Sequence, residues 1–484
     1  MTPAHHAAAA QPALEADYLI VGSGLAGMAF ADTLIIETDA RVVIVDRHDA
    51  PGGHWNDAYP FVRLHQPSFF YGVESRPLGN MSVQQCGYSK GLLQAASAAE
   101  IMAYYDAVMH QQLLPTGRVQ YFPKCRYDGD GRFTSQVTGA QRQVKVRRRV
   151  VDTTSYATSV PSTHQRAYAV APAVRCVTPN DLPSLIHSHP RYTVVGSGKT
   201  GMDTCLWLLQ HGVQPDRIRW IMPRDAWWVD RVTFQYAPDH FEACVRNAAI
   251  QLEALAEASS VANLFERLEA GGALVRLDRN VKPVMFHGAS VSIAELDALR
   301  TIGDVVRLGR VQRIESDRMV LDQGEIAAGV DDLYINCSAN GAGFPEPVPV
   351  FSSGKITTQL LKTFQPSFSA ALIAHIEASY ADDATKNGLC RVVPPPQHAA
   401  SWLTMMAATM SNTRRWAEDA ELMAWIMKSR LDPLPKLMRS AALDDEGRQL
   451  VQRARKAIKP AVSNMHKLLA ELGATEGPRQ PNRE

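Results

Sequence analysis

The chain has 484 residues, 46% of them hydrophobic and 20% charged, with a formal net charge of +1. That length divides ordinarily into two or three domains, and so balanced a charge provides no field that draws in nucleic acid or an anionic membrane. The seven cysteines (Cys86, Cys125, Cys176, Cys205, Cys244, Cys337 and Cys390) form neither C-x-x-C nor a zinc-finger spacing, which argues against a dithiol redox centre and a structural metal site and suits a reducing compartment.

The first stretch, Met1–Ala13, is rich in Ala and His. It lacks a basic n-region and a continuous apolar core, so a disordered tail is expected rather than a signal peptide. No apolar run reaches the ~18–20 residues of a membrane span, and the expected location is cytoplasmic.

The pattern then becomes specific. Tyr18–Val21 is a short apolar run that reads as a buried parallel strand, Gly22-Ser23-Gly24-Leu25-Ala26-Gly27 is G-x-G-x-x-G, and Leu25–Ile36 reads as a helix. Gly22 permits the tight turn, Gly24 lets a pyrophosphate approach the backbone, and Gly27 lets helix and strand pack. The diphosphate would face the free N–H groups at the helix start. A second strand, Arg41–Asp46, ends in a carboxylate 24 residues past Gly22, close to the offset at which an acid reads ribose hydroxyls. Strand, helix, strand and terminal acid together make the fingerprint strong.

Pro51, Gly52 and Gly53 force a loop that continues into His54 and Trp55. In Tyr59–Gly72, five aromatic residues interleave with Arg63, His65 and Gln66, a composition suited to a wall against a flat ring. Ser89–Gln111 has helical spacing. Val119–Val151 alternates around Asp128-Gly129 and Asp130-Gly131, which predicts a β-meander. A Thr/Ser/Pro-rich crossing from Thr153 to Pro161 follows.

The opening pattern then recurs: the strand Tyr192–Val195, the turn Gly196-Ser197-Gly198-Lys199-Thr200-Gly201, a helix over Met202–His211, and a strand over Ile218–Met222. This strand runs into Pro223-Arg224 rather than an acid. An arginine there matches a 2′-phosphate by charge-assisted bonds, so the first fold reads as an adenine dinucleotide site without that phosphate and the second as an NADP site. Asp225 competes for the ribose, and Lys199 and Arg231 are the next phosphate candidates. Val245–Leu268 and Ile293–Leu299 read as helices and Leu333–Cys337 as a buried strand. Ser338–Gly343 is expected as the second crossing between domains. From His398 to Gly473 the pattern is helical, interrupted by Pro433 and Pro435, with a Met/Trp stripe that reads as core. The sequence leaves open whether this region lids a site or forms a homodimer interface.

Two G-x-G-x-x-G units, the second with a trailing arginine, resemble the flavin-containing monooxygenases, the class B flavoprotein monooxygenase type, over residues 17–395. Gly52-Gly53-His54-Trp55 is similar to that family's Gly-Gly-x-Trp, which lies against the flavin. Two departures stand out. Tyr168–Leu182 lacks the histidine of the family's identifying segment, and Cys337-Ser338-Ala339-Asn340-Gly341 replaces Ala-Thr-Gly.

The resemblance implies an α/β fold with two Rossmann-like dinucleotide-binding domains and a C-terminal helical extension. It places an FAD-binding domain at 14–160 and 341–397, an inserted NADPH-binding domain at 161–340, and the helical region at 398–484. FAD would be held by Gly22, Ser23, Gly24, Leu25, Ala26, Gly27, Asp46, Arg47, Gly53, His54 and Trp55. NADPH would be held by Gly196, Ser197, Gly198, Lys199, Thr200, Gly201 and Arg224. His65 and Gln66 are the candidates facing the flavin, and no metal is implied. The implied activity is NADPH- and O₂-dependent oxygenation of a small soluble substrate at nitrogen, sulfur or a ketone, through a C4a-(hydro)peroxyflavin. An FAD-dependent reductase or oxidase that inserts no oxygen, and a nucleotide-binding redox sensor, are the alternatives.

Overall fold

The computed structural model describes residues 14–339, 341, 343–439 and 444–475. The tail Met1–Ala13, Asn340 of the second crossing and the end of the C-terminal region from residue 476 lie outside the described residues.

The run Tyr18–Val21 lies within a longer strand, Leu14–Val21, at the centre of a parallel sheet. On one side it pairs with Val42–Val45, which pairs in turn with Val119–Phe122. On the other side it pairs with Gln141–Asp152, and that strand pairs with Lys355–Thr357 from far along the chain. The central strand is apolar at consecutive positions because both faces are covered. Tyr18 and Ile20 face a core shared with the helices Leu25–Glu37, Ala98–Val108 and Pro366–Ser379. Leu19 points the other way, into a smaller core with Phe133 and Val144 of a three-stranded meander.

A second parallel sheet repeats the arrangement. Tyr192–Val195 lies between Ile218–Ile221 and Leu333–Asn336, with Asp304–Val306 and Cys176–Val177 at the edges. The helix Lys199–Gln210 follows its central strand and packs with Ile293–Leu299 over one face. The fold is therefore α/β with two Rossmann-like units. The chain segments that join the sheets run side by side: Ser159 N–H donates to Gly341 O at 2.8 Å and Gly343 N–H to Tyr156 O at 2.6 Å.

Three sequence expectations change. Helix does not begin at Ser89. It begins at Ala98, where Ser97 and Glu100 form a capping box, because residues before it are drawn into other bonds: Leu93 N–H to Gln235 and Ala96 N–H to Ser68 Oγ. Val119–Phe122 is not part of the meander but the outer strand of the first parallel sheet. Val245–Leu268 is two helices, Phe241–Glu257 and Val261–Ala270, the second capped by Ser260.

The Met/Trp stripe is core, as expected. Trp402, Met405, Trp416, Leu422 and Ile426 are all buried. The long helix Asp445–Thr475 lies along Phe241–Glu257, with Ala461, Met465 and Leu468 in one core with Leu255 and Phe265. Among the described residues no helix is long and apolar enough to cross a membrane, and no group of His, Cys, Asp or Glu is placed to hold a metal.

Candidate functional site

The first glycine-rich turn is sterically committed. A Cβ on Gly27 would lie 2.0 Å from Gly22 O, so helix and strand meet only through glycine. Gly24 and Gly53 pack backbone to backbone: a Cβ on Gly53 would fall 2.9 Å from Gly24 Cα. The loop carrying His54 and Trp55 is thereby seated on the turn. The helix begins after Gly24 with no side-chain cap, and Leu25 and Ala26 are half-buried at its start, which leaves first-turn N–H groups for an anion.

Asp46 ends the second strand, buried and acceptor-rich. Its Oδ2 takes Ser23 N–H at 2.5 Å and Ser23 Oγ at 2.7 Å, and its Oδ1 takes His48 N–H at 2.8 Å and meets His48 Nδ1 at 3.1 Å. A carboxylate has about four acceptor positions, so any ligand hydroxyl would reach Asp46 only by displacing Ser23 Oγ or the imidazole. These bonds hold the Asp46 carboxyl below its ordinary range against the opposing effect of burial, and Asp46 in turn raises the His48 pKa. Arg47 is exposed. Trp55 Nε1 donates to Tyr71 Oη at 2.8 Å, and the His54 ring lies 5.1 Å from the indole. Burial pushes the His54 imidazole down to about 4.

The second turn has the same frame, with a Cβ on Gly201 falling 2.1 Å from Gly196 O, but space above Gly198 is open. Its helix also lacks a side-chain cap, and Ser197 and Thr200 are half-buried around the opening. Lys199 is paired with Asp203, which also accepts from Tyr59 Oη of the first unit at 2.8 Å. Phe61 stacks on Trp207 at 5.2 Å. The aromatic stretch that follows the first turn thus lies across the helix of the second.

Arg224 is exposed, and its side chain makes no hydrogen bond or ion pair among the described residues. Burial first, and the charge of Arg310 second, hold its pKa below the usual guanidinium range. Its neighbour Asp225 is buried and held by Arg307 at 2.9 and 3.1 Å, so it is spoken for. Arg231 is also committed: 5% exposed, it donates to Glu295 at 2.6 Å and Ser89 at 2.8 Å. Arg310, which no motif marks, stands beside Arg224 because the loop after the edge strand Asp304–Val306 returns there.

A cavity of about 80 Å³ opens between the two units. His65, Gln66 and Phe70 line it from the first unit, Tyr236 and Ser290 from the second, and Thr363 and Phe364 from the segment that returns to the first sheet. His65 is anchored through its carbonyl, which accepts from Ser290 Oγ at 2.7 Å. Burial first, then the charges of Lys199 and Arg231, keep its imidazole well below the ordinary pKa, so near neutrality it is an uncharged hydrogen-bonding group. Tyr236 and Thr363–Phe364 in loops, and Ser290 in the strand Met285–Val291, escaped the sequence reading because they carry no motif and lie hundreds of residues from the first turn.

The NAD(P)-binding Rossmann-like domain family matches residues 20–73. Among solved structures, the chain is similar to a cyclohexanone monooxygenase from Rhodococcus bound to NADP⁺ (11% identity, 95% of this chain, 98% of that one, TM-score 0.47). It is also similar to a flavin-containing monooxygenase from Stenotrophomonas maltophilia (16% identity, 83% of this chain, 99% of that one, TM-score 0.40). Among curated proteins it is 47% identical over 463 residues, 96% of this chain and 86% of theirs, to uncharacterized proteins of Mycobacterium tuberculosis and Mycobacterium bovis. At that identity and coverage the chain belongs to the protein family of Rv2000 of Mycobacterium tuberculosis.

Proposed function

We propose that this protein is an FAD- and NADPH-dependent monooxygenase acting on a small molecule. FAD would lie on the first glycine-rich turn and against the Gly53–Trp55 loop. NADPH would lie on the second turn, with Arg224 reading its 2′-phosphate. In this reading residues 14–160 and 341–397 form the FAD-binding domain, 161–340 the inserted NADPH-binding domain and 398–484 a helical extension. The observation that carries it is the cavity between the two units, walled by side chains from both, where a hydride donor and a flavin must meet.

The turns fit such ligands on their own geometry: uncapped helix starts behind glycines whose Cβ positions are blocked or open to solvent. Bound flavin supplies the redox chemistry, taking electrons from NADPH and activating O₂. The balance is substrate, O₂, NADPH and a proton giving oxygenated substrate, NADP⁺ and water. The protein's part is orientation and exclusion of water. Trp55, held by Tyr71, provides a flat wall. Neutral His65 and Gln66 give hydrogen bonds at the cavity without bringing a charge into it. Phe70, Tyr236 and Phe364 give the cavity aromatic walls beside these polar groups.

The test is oxygen transfer from ¹⁸O₂. Under NADPH, the FAD-loaded protein is expected to place one labelled atom in the product and the other in water. Stoichiometric hydrogen peroxide with no labelled product, across amine, sulfide and ketone substrates, would instead establish an oxidase.

A further inference from the structure

The turn Ser429–Asp432 lies between the helices Ala420–Lys428 and Leu434–Leu437. It belongs to neither Rossmann-like sheet, yet both walls of the cavity are tied to it. Arg430 reaches into the loop Phe69–Arg76. Its Nε donates to Glu74 O at 3.1 Å, one terminal nitrogen donates to Phe69 O, and the other donates to Tyr71 O at 3.0 Å, to Arg76 O at 2.6 Å and to Val73 O. The main-chain N–H of Arg430 and the hydroxyl of Ser429 donate to the two carboxylate oxygens of Glu74 at 2.7 and 3.0 Å. Five carbonyls surround one guanidinium, three of them sharing the two hydrogens of one terminal nitrogen, and an ammonium, with three N–H donors on one atom, cannot reproduce that planar set.

Asp432, two residues on and 1% exposed, pairs with Lys362. Lys362 precedes Thr363 and Phe364 of the opposite wall. That wall is held in an unfavourable shape: Phe364 has φ +54°, and a Cβ on Gly288 would lie 1.9 Å from its ring. An aromatic residue stays in the left-handed region only where its surroundings over-determine it. The surroundings here are C-terminal: Asn412 Nδ2 donates to Leu361 O at 2.8 Å, and Thr409 Oγ1 meets Thr363 Oγ1 at 2.6 Å.

We propose that Arg430 and Asp432 are positioning residues, a two-ended clamp that sets the separation of the cavity walls Phe69–Arg76 and Leu361–Gln365. Its functional meaning rests on the monooxygenase reading, but its mechanics do not.

The experiment uses the full chain with and without FAD, and three variants. Arg430→Lys keeps the charge and loses the fork. Asp432→Asn keeps the shape and weakens the tie to Lys362. Lys386→Met breaks a buried pair with Glu377 at 2.5 Å, away from the cavity, and controls for loss of stability alone. Hydrogen exchange is followed at the amides of 65–76 and 361–365, with 22–30 and 196–210 as references. Each clamp variant is expected to speed exchange about tenfold or more in both walls, including the one its own side chain does not touch, with the references unchanged. It should also shift the visible circular dichroism of bound flavin at unchanged FAD stoichiometry. The control should lower the melting temperature and do neither. Exchange that rises only in the touched wall, or equally everywhere, overturns the clamp, and so does an unaltered flavin signal. If Arg430→Lys does not fold, Asp432→Asn decides alone. A wild-type protein that binds no FAD defeats the monooxygenase reading, while the exchange data still decide the clamp.

Discussion

At the scale of single residues, charges divide into those already spent and those still available. Asp225, Arg231 and Lys199 all have partners, whereas Arg224 is exposed and makes no hydrogen bond or ion pair among the described residues. Guanidinium–phosphate bonds are charge-assisted, and loss of one costs ~10–100-fold in affinity. Arg224→Ala is therefore expected to raise the KM for NADPH by about that factor and leave NADH nearly unchanged, measured by initial rates with both coenzymes. Equal losses would make Arg224 structural.

His48 gives a pH signature. Its pKa is raised by Asp46 and also by Asp57, whose Oδ2 lies 2.9 Å from Nε2. A raised folded-state pKa contributes stability that is full below the ordinary value of about 6.5 and is lost as pH climbs through the raised one. His48→Gln should thus lower the melting temperature most near about pH 6 and progressively less toward about pH 9. A difference independent of pH would mean that the ring acts by packing alone.

At the scale of elements, legibility followed locality. The glycine-rich turns could be read because strand, turn and helix lie within about twenty residues and each glycine has its own steric reason. The start of the helix at Ala98 could not, because Leu93 and Ala96 have helical spacing but their N–H groups serve tertiary bonds to Gln235 and Ser68. The cavity could be read only in part: His65 and Gln66 sit in a conspicuous aromatic stretch, while Tyr236, Ser290 and Phe364 carry no local signal. Interlocking elements also make a prediction. Gly24 faces Gly53 so closely that a Cβ would stand 3.3 Å from Gly53 Cα, and the larger side chain of Gly24→Val would also enter the proposed diphosphate approach. That variant should purify without flavin, measured by the ratio of visible to ultraviolet absorbance, with its far-ultraviolet circular dichroism retained. Full flavin content would move the site elsewhere.

At the scale of the whole molecule, the C-terminal helices are structural partners of both units. Their Met/Trp stripe fills a core, Arg430 grips the first unit, and Asp445–Thr475 lies along a helix of the second. The burial of the stripe was legible from its helical spacing, but the grip of Arg430 was not, since an arginine that bonds main-chain carbonyls leaves no pattern in the chain it contacts.

The first sheet is built from two distant pieces of chain. Lys355–Thr357 takes its place beside Val150–Asp152 only after the whole second sheet has been threaded between them. During synthesis, the second unit emerges with all its strands while the first still lacks two, Phe351–Ser352 and Lys355–Thr357. The edge of Gln141–Asp152 then presents unpaired N–H and C=O groups, the kind of edge that recruits foreign strands. Closure of a loop of some two hundred residues adds only a logarithmic entropy cost, but it makes the pairing one of the most non-local in the chain and therefore slow. Birth order and assembly order are thus reversed in this protein: the unit that begins the chain is the last to be finished.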